Sequence, residues 1–200
     1  MPGASGRSKN LFFINSTYHI NELKRRRQEG EILKFIFFWG HTPEPNQVVG
    51  KFCLSQWYPA EFEEEGHRYF TSEHYMMAHK ALLFGDDRIF ERILKTVKPG
   101  EAKALGREIV NFREEIWHEH KYEIVLRANY YKFSQHELLR TYLVNTQNRI
   151  LAEASPVDCI WGVGLAENDP QINDVSNWPG ENLLGMALME VRDKLRNEFI

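Results

Sequence analysis

The sequence predicts an α+β fold: a single, mostly α-helical domain with a small β-sheet contributed mainly by the N-terminal seventy residues. Three observations predict it. Strand-like aromatic runs and tight-turn residues crowd into the stretch before Thr71, whereas from Thr71 onward apolar residues recur at helical spacing between caps and prolines. The chain has 200 residues, 42% of them hydrophobic and 26% charged, enough for one real core and too little for two full-sized ones.

Taken in order, residues 1–30 read as an N-terminal extension whose first ten residues, small and polar, are expected to be disordered. Residues 21–30 carry Lys24-Arg25-Arg26-Arg27 and read as a short basic helix, a solvated charge run in preference to a phosphate-binding or receptor-binding one. The folded domain is expected over residues 31–200. Within it, residues 34–39 (KFIFFW) form a strand closed by Gly40, and 41–47 a polar loop. Residues 52–54 read as a strand, and 62–64 with 67–69 flank Glu65-Gly66 as a tight hairpin.

Helices follow. Thr71 or Ser72 caps the first, and Asp86 or Asp87 caps a second that runs to Thr96. Pro99 opens a third through Val110. Residues 114–133 and 135–146 form two more. Residues 159–163 read as a short apolar strand, 164–181 as a polar loop, and 182–197 as the last helix.

Composition narrows the function. A net charge of −3 and a pI near 6.3 argue against a general basic surface for nucleic acid and leave room only for a local patch. Cys53 and Cys159, the only cysteines, each adjoin apolar residues and are expected as buried free thiols, which favours a reducing compartment. With neither a membrane-length apolar run nor a signal-like N-terminus, the chain is expected in the cytoplasm or nucleus, with no membrane partner. The sequon Asn15-Ser16-Thr17 then carries no weight. No metal site is expected, because His74 and His79 are about 140° apart on a helix and His118 and His120 are two residues apart, so neither pair shares a face. No GxSxG, Walker or dinucleotide glycine motif is present.

The stretch TSEHYMMAHKALLFGDD, residues 71–87, has no wet side. At about 100° per residue, Glu73, Met76, Met77, Lys80 and Phe84 share one stripe, with Tyr75, Ala78 and Leu82 opposite. A helix apolar nearly all round is buried, so its two charged residues are candidates to line a cavity. Glu73 at the helix start meets free N–H groups that favour its ionised form. Lys80 either pairs with Glu73, or snorkels outward, or is a desolvated nucleophile toward carbonyl and imine carbon.

Other candidates lie downstream. In SPVDCIWGVG, Asp158 is a turn former or a site acid, and Trp161 beside glycine is core or a stacking platform. In NWPGENLLGMALMEVR, the loop at Gly180 leads to a helix start at Asn182, either an ordinary cap or an anion site for phosphate. Arg107 in KALGR is a phosphate clamp or a surface cation, and Gly106 before it marks a close approach.

Together, SEHYMMAHKA, KALGR, Trp117, SPVDCIWGVG and NWPGENLLGMALMEVR resemble the NADAR family, also called YbiA-like, in order and spacing from about Lys34 to the C-terminus. One departure is Gln56 in FCLSQWYP, where the family more often has Asn. The resemblance implies N-glycosidase chemistry at ribose C1, with two substrate classes: ADP-ribose on the amino group of guanine in DNA or RNA, and phosphorylated riboflavin-pathway intermediates. It places Glu73, Trp117 and Asp158 in the active site, with Lys80 in the same helix motif and no cofactor. Trp117 and Trp161 would stack on base or adenine, while Arg107, Gly180 and Asn182 would hold phosphate. Two mechanisms suit these residues: water attack assisted by Asp158 and Glu73, or ring opening followed by a Lys80 Schiff base with Glu73 shuttling protons, the second preferred. The expected activity is removal of ADP-ribose from guanine, with free ADP-ribose as product and a DarT-like ADP-ribosyltransferase as functional counterpart. The alternatives are the riboflavin-intermediate glycosidase and a non-catalytic ADP-ribose sensor.

Overall fold

The structure is a computed structural model and describes residues 18–199. The expected disorder of the first ten residues and the sequon at Asn15 lie outside the described residues. Among those described are seven α-helices and four short strands: α1 (Ile20–Gln28), β1 (Phe35–Phe38), β2 (Phe62–Glu64), β3 (His67–Tyr69), α2 (Ser72–Leu83), α3 (Asp87–Leu94), α4 (Pro99–Leu105), α5 (Glu114–Gln135), α6 (Glu137–Asn145), β4 (Ile150–Glu153) and α7 (Leu183–Glu198). The α+β, mostly helical class holds.

The strands form two two-stranded sheets instead of one. β2 and β3 make the expected hairpin, Phe62 opposite Tyr69, with Glu65 and Gly66 both at positive φ as a two-residue turn requires. β1 pairs in parallel with β4, Phe35 opposite Ile150 and Phe38 opposite Glu153. β4 was not expected as a strand. Its residues Ile150, Leu151 and Ala152 are buried on both faces, so they lack the alternation that marks a half-exposed strand.

Three other segments differ. Residues 52–54 lie in a 3-10 helix (Lys51–Leu54), in which the Cys53 N–H donates to Gly50 O and the Ser55 N–H to Phe52 O. Residues 159–163 are a turn, because Asp158 Oδ1 accepts from the N–H groups of Ile160 (2.9 Å) and Trp161 (2.8 Å) and bends the chain. α4 stops at Leu105, well before Val110. The turn also exposes Cys159, against the expectation of two buried thiols; only Cys53 is buried.

α2 sits at the centre of the helical layer, with α3 and α4 on one side and α5 on the other. α5 in turn packs on α7, which carries β4 on its far face. Thr71 caps α2 by accepting from the His74 N–H, and Asp86 caps α3 by accepting from Ile89 N–H. α1 docks through the fully buried Leu23. Next to it, buried Arg192 donates to Tyr18 Oη, Thr146 Oγ1 and Arg149 O. The basic run on α1 is compensated: Arg25 pairs with Glu22 and Glu29, Arg26 with Glu31, and Arg27 with Asp174. That is the solvated charge run expected.

One buried ionic network ties the hairpin to the helices. Glu64, at the end of β2, accepts from Tyr75 Oη (2.7 Å), lies 3.1 Å from His79 Nε2 and pairs with Arg127 of α5. Burial by itself would raise its carboxyl, but the hydrogen bonds from His79, Tyr75 and Arg127 outweigh it and hold the group near about 2. A depressed carboxyl contributes stability that is present above its unfolded value and lost as pH falls through the folded one. Glu64→Gln is therefore expected to destabilise by about 3 kcal/mol near neutral pH by leaving Arg127 uncompensated. Thermal melts across pH should show the gap to the parent closing between about pH 4.5 and 2.

Candidate active site

Helix α2, the end of α4, the C-terminal end of β4 and the turns at residues 55–57 and 158–161 enclose a cavity of about 250 Å³, with Trp117 of α5 on one wall. Glu73, Lys80, Arg107, Trp117, Asp158 and Trp161 all line it. The predicted stripe of α2 is the wall: Glu73, Met76, Met77 and Lys80 face the cavity in sequence order.

Glu73 is 3% exposed, and its own N–H donates to Gln56 O (3.0 Å). Its Oε1 is buried without a hydrogen-bond partner. The expectation of a carboxylate stabilised by free helix N–H groups is overturned. Burial pushes the carboxyl up to about 7, and Asp158 adds to the rise, against the opposing pull of Lys103, a Trp57 hydrogen bond and Arg107.

Lys80 does not pair with Glu73. Its Nζ donates to Gly106 O (3.0 Å) and lies 4.3 Å from the Phe112 ring centre and 5.5 Å from that of Trp117. Burial lowers its pKa, and the nearby Arg107 charge lowers it further. The carbonyl it uses is free because α4 ends at Leu105. Gly106 permits this arrangement: a Cβ there would lie 2.1 Å from Met77 Sδ, so Met77 is the close approach that the glycine signalled.

Asp158 is both turn former and cavity wall, since the turn it builds presents Trp161 to the cavity. Gly180 and Asn182 are not among the residues that line the cavity. The N–H groups of Leu183 and Leu184 are already taken by Ile160 O and Trp161 O, so two of the donors at the start of α7 are engaged within the fold. A Cβ at Gly180 would fall 2.2 Å from Gly162 O; this glycine lets two loop segments touch. Asn182, fully buried at φ 55°, does not cap its own helix. Its Nδ2 donates to Leu151 O (2.8 Å) and its Oδ1 accepts from Glu153 N–H (3.0 Å), so it closes the open edge of β4.

The cavity also contains residues the sequence reading missed. Glu153, the last residue of β4, has a buried Oε2 with no partner, and burial together with Asp158 and Glu73 raises its carboxyl to about 7. A lone acid inside the apolar run ILAEA was the available signal. Lys103, one turn before Arg107, stands 5.8 Å from the Trp57 ring centre. Gln56, where the family more often has Asn, accepts at Oε1 from Asn129 Nδ2 (3.1 Å) and leaves Nε2 buried and unpartnered. Buried polar atoms are almost always satisfied. Three orphans in one cavity, Gln56 Nε2, Glu73 Oε1 and Glu153 Oε2, mark it as a place for a polar ligand.

The NADAR domain family model matches residues 37–196. The chain belongs to the NADAR family. Among its NADAR relatives, the N-glycosidase R617 of Acanthamoeba polyphaga mimivirus is 43% identical over 80% of this chain and 96% of the viral protein. The protein irg-1 of Caenorhabditis elegans is 39% identical over 73% of this chain and 77% of its own length. The N-glycosidase YbiA of Escherichia coli K12 is 32% identical over 67% and 75% respectively. The NMR structure of E. coli YbiA superposes with a TM-score of 0.66 at 28% identity, over 82% of this chain and 86% of that one. The NADAR fold thus accounts for the whole cavity, every wall of which lies inside the matched residues.

The lock at Asn182 generates a prediction. Asn182→Ala removes both hydrogen bonds that β4 makes to it, leaving a buried N–H and a buried C=O open. Chemical denaturation should show a loss of about 2 kcal/mol.

Proposed function

We propose that this NADAR domain is an N-glycosidase that removes ADP-ribose from ADP-ribosylated guanine in DNA or RNA, reversing the product of a DarT-like ADP-ribosyltransferase. The observation that carries the chemistry is Lys80: a desolvated amine, held by a carbonyl instead of a carboxylate, in the same cavity as a carboxyl that titrates near neutrality. Such an amine is available as a nucleophile, and such a carboxyl can give and take a proton at physiological pH. The N-glycosidase names of the viral and bacterial relatives point to the same bond.

The reaction proceeds by ring opening. The lone pair of the glycosidic nitrogen forms a C1=N bond as the bond from C1 to the ring oxygen breaks, and the ring oxygen takes a proton from a carboxyl group. Lys80 Nζ adds to C1 and gives up a proton to a carboxylate of the cavity, while Glu73 protonates the departing guanine nitrogen. The bond from C1 to that nitrogen then breaks, leaving a C1=N bond to Lys80. Water adds to C1, Lys80 leaves as the free amine, and the open sugar closes again as ADP-ribose.

Other features suit a polymeric substrate. Trp57, Trp117 and Trp161 provide flat surfaces for base and adenine. Lys103 and Arg107 remain exposed for pyrophosphate, which replaces the phosphate role first given to the start of α7. Exposed Val157 and Ile160 lie within two residues of Asp158 in the chain, and exposed Phe112 adjoins Lys80, apolar surfaces on which neighbouring bases would rest. A cavity of about 250 Å³ holds the reacting sugar and base edge, with both polymer and nucleotide left outside.

The test uses an oligonucleotide carrying ADP-ribosylated guanine. The parent protein should release free ADP-ribose, and borohydride added during turnover should trap a covalent sugar adduct. Lys80→Ala should form no adduct, and Glu73→Gln should lose on the order of 10² to 10⁴-fold in rate. Release confined to phosphorylated riboflavin intermediates would move the substrate, and tight ADP-ribose binding without turnover would make the protein a sensor.

A further inference from the structure

Glu153 is the cavity residue with no assigned part, and its setting resembles neither a structural acid nor a solvated one. Its backbone is fixed on two sides: the N–H donates to Asn182 Oδ1 (3.0 Å), and the C=O accepts from Val163 N–H (2.9 Å). A Cβ at Gly162 would lie 2.9 Å from that same oxygen, so the glycine lets the chain close over it. Yet among the described residues the Glu153 side chain makes no hydrogen bond and no ion pair, and its Oε2 is buried facing the cavity lining. A rigidly mounted carboxyl with nothing to hold is arranged for a ligand.

We propose that Glu153 is a catalytic residue of this site, and that Glu73 and Glu153 each carry one of the two protons the reaction moves at C1. The proposal rests on the N-glycosidase reading. Ring opening needs a proton at the ring oxygen, and expulsion of guanine needs one at the nitrogen. Both atoms are bonded to the same carbon, so the two donors must stand in one cavity. Asp158 is poorly placed for either task, because its Oδ1 already accepts two backbone N–H groups. Its charge acts instead on the other two carboxyls and favours their protonated forms.

The proton count closes. Glu153 starts as the acid, gives its proton to the ring oxygen as the bond from C1 breaks, and becomes a carboxylate opposite the new cationic C1=N group. After Lys80 adds to C1, that carboxylate takes a proton from the lysine nitrogen while Glu73 protonates the departing amine. As water adds, the Glu73 carboxylate takes the water proton. Collapse of the hydroxyl adduct to the aldehyde transfers the hydroxyl proton to the lysine nitrogen through Glu153. Both carboxyls and the amine are then restored.

The charged groups that face Glu153 are Glu73 and Lys80 from α2, Lys103 and Arg107 from α4 and its end, and Asp158 from the turn; α5 contributes only the uncharged Trp117. As Glu153 must begin protonated, activity falls as pH rises through its titration near 7. In Glu153→Gln, kcat should drop by about 10²-fold or more with KM within about threefold, and the alkaline limb of the kcat profile should change shape. Glu153→Asp keeps the carboxyl one methylene further back, and should retain part of the activity with that limb displaced. If Glu153→Gln does not fold, the Glu153→Asp profile decides. Parent activity with a kcat within about threefold in Glu153→Gln, or an unmoved pH profile in Glu153→Asp, overturns the proposal alone. A parent inactive on both ADP-ribosylated guanine and phosphorylated riboflavin intermediates overturns the glycosidase reading and this inference together.

Discussion

Helix α2 has no face turned to water over most of its length, and the rest of the molecule is arranged around that constraint. Residues 72–78 and Ala81 are all buried, with α3 and α4 packed on one side and α5 on the other. A charged group on such a helix keeps its charge only with a partner, or else changes its protonation state. Glu64 reaches in from the hairpin to satisfy Tyr75 and His79 on one stripe and stays ionised. Glu73 and Lys80, on the other stripe, have no such counter-ion and are pushed toward their neutral forms. The same helix therefore carries an ionic network on one side and, on the other, an acid and an amine that both lean toward their neutral forms.

The second dependence runs through Asn182. Its side chain ties the start of α7 to β4, and the carbonyls of the turn at 160–162 tie the same start to the Asp158 loop. Glycines are needed where these segments meet: a Cβ at Gly185 would lie 2.0 Å from Leu151 O, and one at Gly180 would clash with Gly162 O. These contacts engage the N–H groups of Leu183 and Leu184 at the start of the helix. They also fix the segments from which Glu153 and Trp161 line the cavity.

Charge is distributed in keeping with a local, not general, affinity for polyanions. The arginines of α1 are matched by carboxylates, and the net charge is −3. Lys103 and Arg107 at the cavity mouth are exposed and stand among indole rings. This arrangement gathers positive charge at the cavity mouth, whereas the basic run of α1 is neutralised by its own neighbours.

Much was legible in the sequence because it rested on local chemistry. The caps at Thr71 and Asp86, the Glu65-Gly66 turn and Pro99 each fix an element boundary within a few residues, and the all-apolar character of 72–83 announced a buried helix with a charged pair on one stripe. What the sequence by itself determined was therefore the helical order and the α2 wall, while the company of Lys80, Arg107 and Asp158 was implied only by the family resemblance. The tertiary structure alone decided which way each carboxyl leans, because burial and the charge of Asp158 outweigh the helix N–H groups beside Glu73. It alone decided that the N–H groups of Leu183 and Leu184 are engaged, since their acceptors lie in a loop more than twenty residues upstream. Glu153 was hidden for the same reason: β4 becomes a strand only by pairing with β1, far away in sequence, and a four-residue apolar run carries no period that could have shown where its final acid would point.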